Sequence, residues 1–236
     1  MKRISIKRDN QTQEFQINKA ITLLQALYEI KQTQDASLTF SSGCKSSICG
    51  ACSVVVNGKE KLACAYKIQD GDTIEPLRYH KVLRDLKVDK SKPHTTLQKA
   101  QAYLHTTQDA LSNHQDEKAT EKQSDCILCD SCYSACPVLA VNPDFLGPFA
   151  LTRAYRYVSD KREVNSKETI DAIQQNGVWD CTLCGECSMV CPKGIDPKMD
   201  IMMLRSKSAQ YGYMDPNFST PSFGTPNFGF DPNGGW

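Results

Sequence analysis

Twelve cysteines in a chain of 236 residues fall into three sets, and the spacing within each set selects a chemistry. The first is Cys44-x4-Cys49-x2-Cys52, followed after eleven residues by Cys64. This is the plant-type spacing for a [2Fe-2S] cluster, in which one loop and one distant strand deliver four thiolates to two irons. Gly43, Gly50 and Ala51 are small enough to let backbone N–H groups approach the sulfides and offset the cluster's negative charge. The second and third sets are Cys126-x2-Cys129-x2-Cys132-x3-Cys136-Pro137 and Cys181-x2-Cys184-x2-Cys187-x3-Cys191-Pro192. Both match the bacterial ferredoxin run, where three close cysteines hold one cluster and the fourth ligates the other. Two such runs place two clusters close together. Zinc is the rival reading, but zinc pairs come as repeated spacings of about two to four residues, without the longer first loop. A disulfide framework is excluded on length, because small secreted scaffolds need such staples and this chain does not.

The elements that must position these sulfurs are legible in the apolar pattern. Ile4 and Ile6, then Phe15 and Ile17, alternate with polar residues, the signature of two half-buried strands joined around Asp9-Asn10. Leu23, Leu24, Leu27 and Ile30 share one helical face, so a helix crosses the sheet. Val54-Val55-Val56 and Lys61-Leu62-Ala63 flank Asn57-Gly58, a hairpin signal because both turn residues tolerate positive φ. Ile74 and Leu77 mark the last strand. Together these predict a β-grasp-like domain over residues 1–92. A connector follows over 93–124, helical near Leu97, Ala100 and Leu104 and then exposed from Asn113 to Ser124.

Beyond Asp125 the pattern is helical, which predicts an all-α domain over 125–207. Pro148 suits a first helical turn, with Leu151, Ala154, Tyr155 and Val158 on one face. Asn165-x-x-Glu168 reads as a capping box, Ile170 and Ile173 as an apolar stripe, and Asn176-Gly177 as a left-handed stop. Residues 208–236 form a Pro/Gly/aromatic tail in which Pro216-Asn217-Phe218 recurs in variant form every five residues. The fold class expected is α+β, a plant-type ferredoxin domain followed by a two-cluster helical ferredoxin domain.

Composition narrows the function classes. With 40% hydrophobic residues the chain can bury a core, and its mean hydropathy of -0.46 excludes an integral membrane protein. The start, Met1-Lys2-Arg3-Ile4-Ser5-Ile6, has no apolar stretch of a secretory signal, so export would need a partner's signal. A net charge of +1 gives no reason to propose nucleic acid. The charge is uneven, +6 over residues 1–93 and -4 over 94–205, which suggests two domains and a charged docking face. His80, His94, His105 and His114 lie outside every cysteine run and read as ordinary surface or packing residues.

The combination strongly resembles the iron-sulfur subunit of the succinate dehydrogenase/fumarate reductase family, over residues 1 to about 205. Beyond the cysteines the resemblance rests on Gly71-Asp72-Thr73-Ile74-Glu75-Pro76-Leu77, Asn142-Pro143-Asp144-Phe145-Leu146-Gly147-Pro148, Arg153-Ala154-Tyr155-Arg156-Tyr157 and Gly177-Val178-Trp179-Asp180-Cys181. It is closest to the fumarate reductase side, because the Trp-Trp common in ubiquinone-linked members is here Val138-Leu139-Ala140-Val141. The resemblance implies that Cys44, Cys49, Cys52 and Cys64 hold [2Fe-2S], and that Cys126, Cys129, Cys132 and Cys191 hold [4Fe-4S]. It gives Cys136, Cys181 and Cys187 to a third cluster, usually [3Fe-4S]. Most members lack a cysteine at Cys184, so here a fourth ligand is present and the third cluster is either [4Fe-4S] or [3Fe-4S].

The family's Gln and Lys that help form a menaquinone site correspond to Met202 and Arg205, so that pair is changed. Arg153, Arg156, Lys193 and Arg205 are available to screen cluster charge or meet a partner's carboxylates. The chain holds no dicarboxylate site, nucleophile-base pair or flavin motif, so substrate chemistry is expected elsewhere. The partners implied are an FAD-containing flavoprotein subunit and a quinone-reactive membrane anchor, with Cys184 fitting an acceptor such as a cysteine-rich anchor. The expected location is peripheral, on the cytoplasmic membrane, with the cytoplasmic side favoured. The readings left open are an iron-sulfur subunit of another flavoprotein-linked oxidoreductase and a zinc-binding interaction protein.

Overall fold

The computed structural model describes residues 1–8 and 11–216. The chain opens with strands β1 (Lys2–Arg8) and β2 (Gln11–Ile17), helix α1 (Leu23–Thr33), then β3 (Ser53–Val56), β4 (Lys59–Leu62) and β5 (Asp72–Glu75). The five strands form one sheet in the order β2-β1-β5-β3-β4. Strand β1 runs antiparallel to β2 and parallel to β5, the pairing that defines a β-grasp. Burial of Leu23, Leu24, Ala26, Leu27 and Ile30 lays α1 across the face made by Ile4, Ile6, Phe15, Ile17 and Ile74. Thr22 caps that helix reciprocally with Gln25, satisfying two amides that the first turn leaves free. Asn57 and Gly58 both take positive φ, 50° and 79°, as a tight turn matched to strand twist requires. The turn expected at Asp9-Asn10 lies outside the described residues.

The sequence pattern left out a second, smaller sheet, the hairpin β6 (Lys81–Arg84) and β7 (Lys87–Asp89). Strand β6 is exposed along its whole length and so carries no alternation. Its turn is held instead by Asp85, which accepts from Arg8 Nε at 2.8 Å and from the Thr39 amide at 2.7 Å.

The helical part comprises α2 (Ser91–Lys99), α3 (His114–Ser124), α4 (Ser131–Ser134), α5 (Val138–Val141), α6 (Pro148–Val158), α7 (Lys167–Ala172), α8 (Glu186–Met189) and α9 (Pro197–Gln210). Its core joins Tyr133, Phe149, Leu151, Ala154, Ile170, Ile173, Ile201 and Leu204. Gly147 precedes α6 with φ 88°, and a Cβ there would come within 2.8 Å of the Tyr133 ring, so only glycine fits. The exposed part of the connector, from Asn113 to Ser124, is helical: Asn113 and Asp116 cap it reciprocally, and none of its residues is buried. One expectation is corrected. Asn165-x-x-Glu168 is not a capping box: the N-cap of α7 is Ser166, and the Asn165 side chain donates to Glu168 at 2.9 Å. At the expected stop, Asn176 takes the left-handed conformation with φ 52° and Gly177 does not. Helix α9 runs through to Gln210. The Pro/Phe triplets of the tail extend beyond residue 216 and lie outside the described residues.

Buried polar contacts tie the two parts together. Ser134 on α4 donates to Glu60 on β4 at 2.7 Å and accepts from the Arg78 amide at 2.9 Å. Within the helical part, Asp200 on α9 is buried and accepts from Gln123 on α3 at 2.7 Å and Thr152 on α6 at 2.8 Å. Burial pushes its carboxyl up to about 6, against the two hydrogen bonds that favour the ionised form. A carboxyl whose folded value is raised favours folding below its unfolded pKa, and that advantage is lost as pH rises through the folded value. Asp200→Asn removes a group penalised by on the order of 3 kcal/mol when ionised. The variant is expected to melt several degrees higher than wild type at pH 8 by anaerobic calorimetry, with the gain shrinking as pH falls toward 5.

Candidate functional site

Cys44, Cys49 and Cys52 sit in a long loop between α1 and β3 whose shape is dictated by backbone rather than by secondary structure, and Cys64 follows β4. Lys45, Ser47 and Gly50 take positive φ of 59°, 58° and 68°. These reversals turn successive amides inward. The Cys44 sulfur accepts from the amides of Ser46, Ile48 and Cys49, each at 3.3 Å. The Cys49 sulfur accepts from the Cys44 amide and the Cys64 sulfur from the Ser47 amide, both at 3.3 Å. The Ser46, Ile48 and Cys49 amides together lower the Cys44 thiol to about 6, whereas burial pushes Cys52 up to about 11. Gly43 closes the loop: a Cβ there would lie 2.7 Å from the Cys49 sulfur. The cradle of inward amides and tight backbone is the environment that an anionic two-iron cluster requires, and the residues fit that group.

The two later runs repeat one backbone design. Leu128 and Leu183 take φ 49° and 57°, and Asp130 and Gly185 take 65° and 84°, before the short helices α4 and α8 begin. The Leu183 amide donates to the Cys181 sulfur at 3.4 Å, and the Leu128 amide favours the Cys126 thiolate in the same way. Burial raises the thiols of Cys126, Cys129, Cys132 and Cys181, with Cys136 pushed up to about 11 and Cys187 to about 12. Thiols this buried surrender their protons only to a cation that replaces it, as iron does.

The fold brings the runs into each other. Cys191, the last cysteine of the third set, stands with Cys126, Cys129 and Cys132 around one apolar cavity. Cys136, the last of the second set, is within electrostatic reach of Cys181 and Cys184, and Cys187 of Cys181, Cys136 and Cys184. Cys184 is exposed yet faces this group. Among the described residues no three His, Cys, Asp or Glu side chains close on a single ion.

Charged side chains near the sulfurs are more committed than the sequence suggested. Arg205 donates to the carbonyls of Val178, Trp179 and Cys181, the last at 2.6 Å, and stacks its guanidinium over the Trp179 ring. Its charge favours the Cys181 thiolate, and Arg153 does the same for Cys126. Arg156 is bound to Ser124 and stacks on Tyr157. Lys193 lines the cavity beside Cys191. Met202 is partly exposed on α9.

The histidines are packing or surface residues, as the sequence suggested, but two of them share one buried carboxylate. The His80 side chain is completely buried, and its Nε2 stands 3.4 Å from Asp130, a residue inside the second cysteine run. His94 Nε2 is 3.2 Å from the same carboxylate, and Lys90 Nζ is 3.4 Å from it. His105 bridges Glu168 and Thr169 on α7. Nothing periodic marks these residues in the sequence, since Asp130 is the only one adjoining a motif.

Cluster geometry built from a β-grasp cysteine loop and two interlocked helical runs defines an electron-transfer protein with a two-iron centre and a pair of further iron-sulfur centres. Family models agree, one for a 2Fe-2S iron-sulfur cluster binding domain over residues 2–95 and one for a 4Fe-4S dicluster domain over residues 122–195. The chain is 38% identical over 199 residues to the fumarate reductase iron-sulfur subunit of Escherichia coli O6:H1, covering 80% of this chain and 82% of that one. It is 37% identical over 209 residues to the 8-methylmenaquinol:fumarate reductase iron-sulfur subunit of Wolinella succinogenes, covering 82% of this chain and 66% of that one. Its fold matches a chain of the Mycobacterium smegmatis Sdh1 complex with a TM-score of 0.79 at 21% identity, over 90% of this chain and 97% of that one. The chain therefore belongs to the iron-sulfur subunits of the succinate dehydrogenase/fumarate reductase family.

Gly43→Ala tests the fit of the first loop. The added methyl must displace the Cys49 sulfur, which cannot yield while it holds iron. The variant is expected to lose most of its [2Fe-2S] EPR signal on reduction, while iron and EPR signals from the helical part stay at wild-type level.

Proposed function

We propose that this chain relays single electrons between an FAD-containing flavoprotein subunit, where succinate and fumarate are interconverted, and a quinone-reactive membrane anchor. The observation that carries the reading is continuity: three sulfur groups follow one another through a single molecule. Gly50 of the first loop packs against Cys129, and Cys132 of the second group is within electrostatic reach of Cys187 in the third. Tunnelling falls steeply with distance, so short hops replace one long jump. When bound, each cluster supplies a site that accepts and releases one electron.

In this reading Cys44, Cys49, Cys52 and Cys64 hold [2Fe-2S], and Cys126, Cys129, Cys132 and Cys191 hold [4Fe-4S]. Cys136, Cys181 and Cys187 hold the third cluster, with Cys184 as its fourth ligand. Cys184 occupies the place in its run that Cys129 has in the other, after the same left-handed leucine, which supports an equivalent role. A thiolate ligand there adds an iron and a negative charge, and potential follows both cluster type and charge. The chain's own residues provide the rest. Inward amides offset the charge of the first loop, and Arg205 and Arg153 hold the backbone of the later runs while placing cations beside them.

The β-grasp part faces the flavoprotein and the helical part the anchor, with Cys184 suiting a cysteine-rich anchor. In this reading the chain attaches through its partners at the cytoplasmic membrane, on the cytoplasmic side; no helix among the described residues is long and apolar enough to cross a membrane. Two outcomes test this reading. The isolated, flavin-free chain is expected to show no succinate or fumarate turnover, with activity appearing on addition of the flavoprotein; turnover by the chain alone would overturn the division of labour. EPR of the oxidised, anaerobically prepared protein is expected to lack a stoichiometric [3Fe-4S] signal in wild type and to gain one in Cys184→Ser. A full [3Fe-4S] signal in wild type would make Cys184 a bystander.

A further inference from the structure

The two cluster-bearing parts meet at one place where the backbones touch. Gly50, between Cys49 and Cys52, has φ +68°, and a Cβ on it would lie 2.7 Å from Cys129 Cβ, 2.8 Å from Cys129 Cα and 2.9 Å from the Ile127 carbonyl. Here the first cysteine loop reaches the second with no side chain between them. One ammonium spans the contact. Lys90 Nζ donates to the Cys129 carbonyl at 3.1 Å and to the Gly50 carbonyl at 3.4 Å, and stands 3.4 Å from the Asp130 carboxylate. Its side chain is only 23% exposed. Two of its donors go to carbonyls and its charge faces the carboxylate, so three residues from two parts of the molecule surround one compact head.

The surroundings fix that ammonium in place. Asp130 is fully buried and is approached by His80 and His94 as well as Lys90, all three from residues 80–94. His80 is itself oriented by a 2.6 Å hydrogen bond from Nδ1 to the Arg78 carbonyl, an acceptor only, and by edge contact with the Tyr133 ring. Arg78 in turn donates its amide to Ser134 on α4. The segment 78–94 is thus clamped to α4 at one end and to the Cys129-Asp130 turn at the other.

We infer that Lys90 is a positioning residue for electron transfer, stapling the Gly50 backbone to Cys129 and holding a fixed positive charge between the first and second cysteine groups. The inference rests on the ligand sets proposed above. In the step it serves, one electron leaves one centre as the other gains it, and no proton need move. The staple acts on that step in two separable ways. It sets the separation of the two loops, and its charge stabilises the reduced, more negative state of either centre and so raises its potential.

The test uses the full-length, cluster-loaded protein, with EPR-monitored redox titration and measurement of the magnetic coupling between the two reduced centres. Spin and iron counts on wild type examine the ligand sets alone, so a failure there is distinct from a failure of the staple. In Lys90→Met, at wild-type iron content, the potential of the second centre is expected to shift downward and the coupling to weaken. Lys90→Arg, which restores charge, is expected to return the potential toward wild type. Gly50→Ala keeps the charge but must open the contact, so it is expected to weaken the coupling. It also serves if Lys90→Met loads iron poorly. Unchanged potential and coupling in Lys90→Met would overturn the inference. So would equal potentials in Lys90→Met and Lys90→Arg, because a purely structural residue would not distinguish a cation from a neutral side chain. Wild-type coupling in Gly50→Ala would overturn it as well.

Discussion

Sulfur from distant parts of the chain must meet around iron while its negative charge is compensated, and the rest of the structure answers to that constraint. The first loop meets it with backbone: positive-φ residues aim three amides at Cys44, whose thiol is lowered accordingly. The later runs meet it differently. Their sulfurs are buried deeply enough that the neutral thiol is favoured, so the cation that replaces the proton is part of what holds the core together. Arginine side chains then occupy carbonyls beside Cys126 and Cys181 rather than waiting at the surface.

Much of this was legible in the sequence because cysteine spacing and apolar period report local geometry. Helix α1, the Asn57-Gly58 turn and Pro148 at the start of α6 follow from rules acting within a few residues. The hairpin β6-β7 was not legible, since exposed residues carry no alternation and its turn is held by Arg8 from far away in the chain. The bounds of helix α3 were faint for a related reason: it buries nothing, and only the Asn113-Asp116 cap marks its start. Asn165 and Glu168 have the spacing of a cap without its backbone geometry, because the helix begins one residue later.

The site divides in the same way. The twelve cysteines announce themselves, and their grouping in space follows the motif. The residues that organise the seam between the groups do not. His80, His94 and Lys90 look like ordinary polar residues until Asp130 is brought to them, and a carboxylate between two motif positions has no signature of its own. Long-range complementarity of single charges leaves no period for a sequence to display.

The buried pairing of Asp130 with Lys90, His80 and His94 also bears on biogenesis. The amino-terminal part emerges first from the ribosome, and Lys90 then lacks its Asp130 partner, which is about 40 residues further along. The amino-terminal part can form its sheet and α1, but residues 80–94 gain their anionic partner only when the second cysteine run arrives. The contact of Gly50 with the Cys129 turn likewise needs both stretches of chain, so the first loop gains its cover only when residues 127–130 are in place.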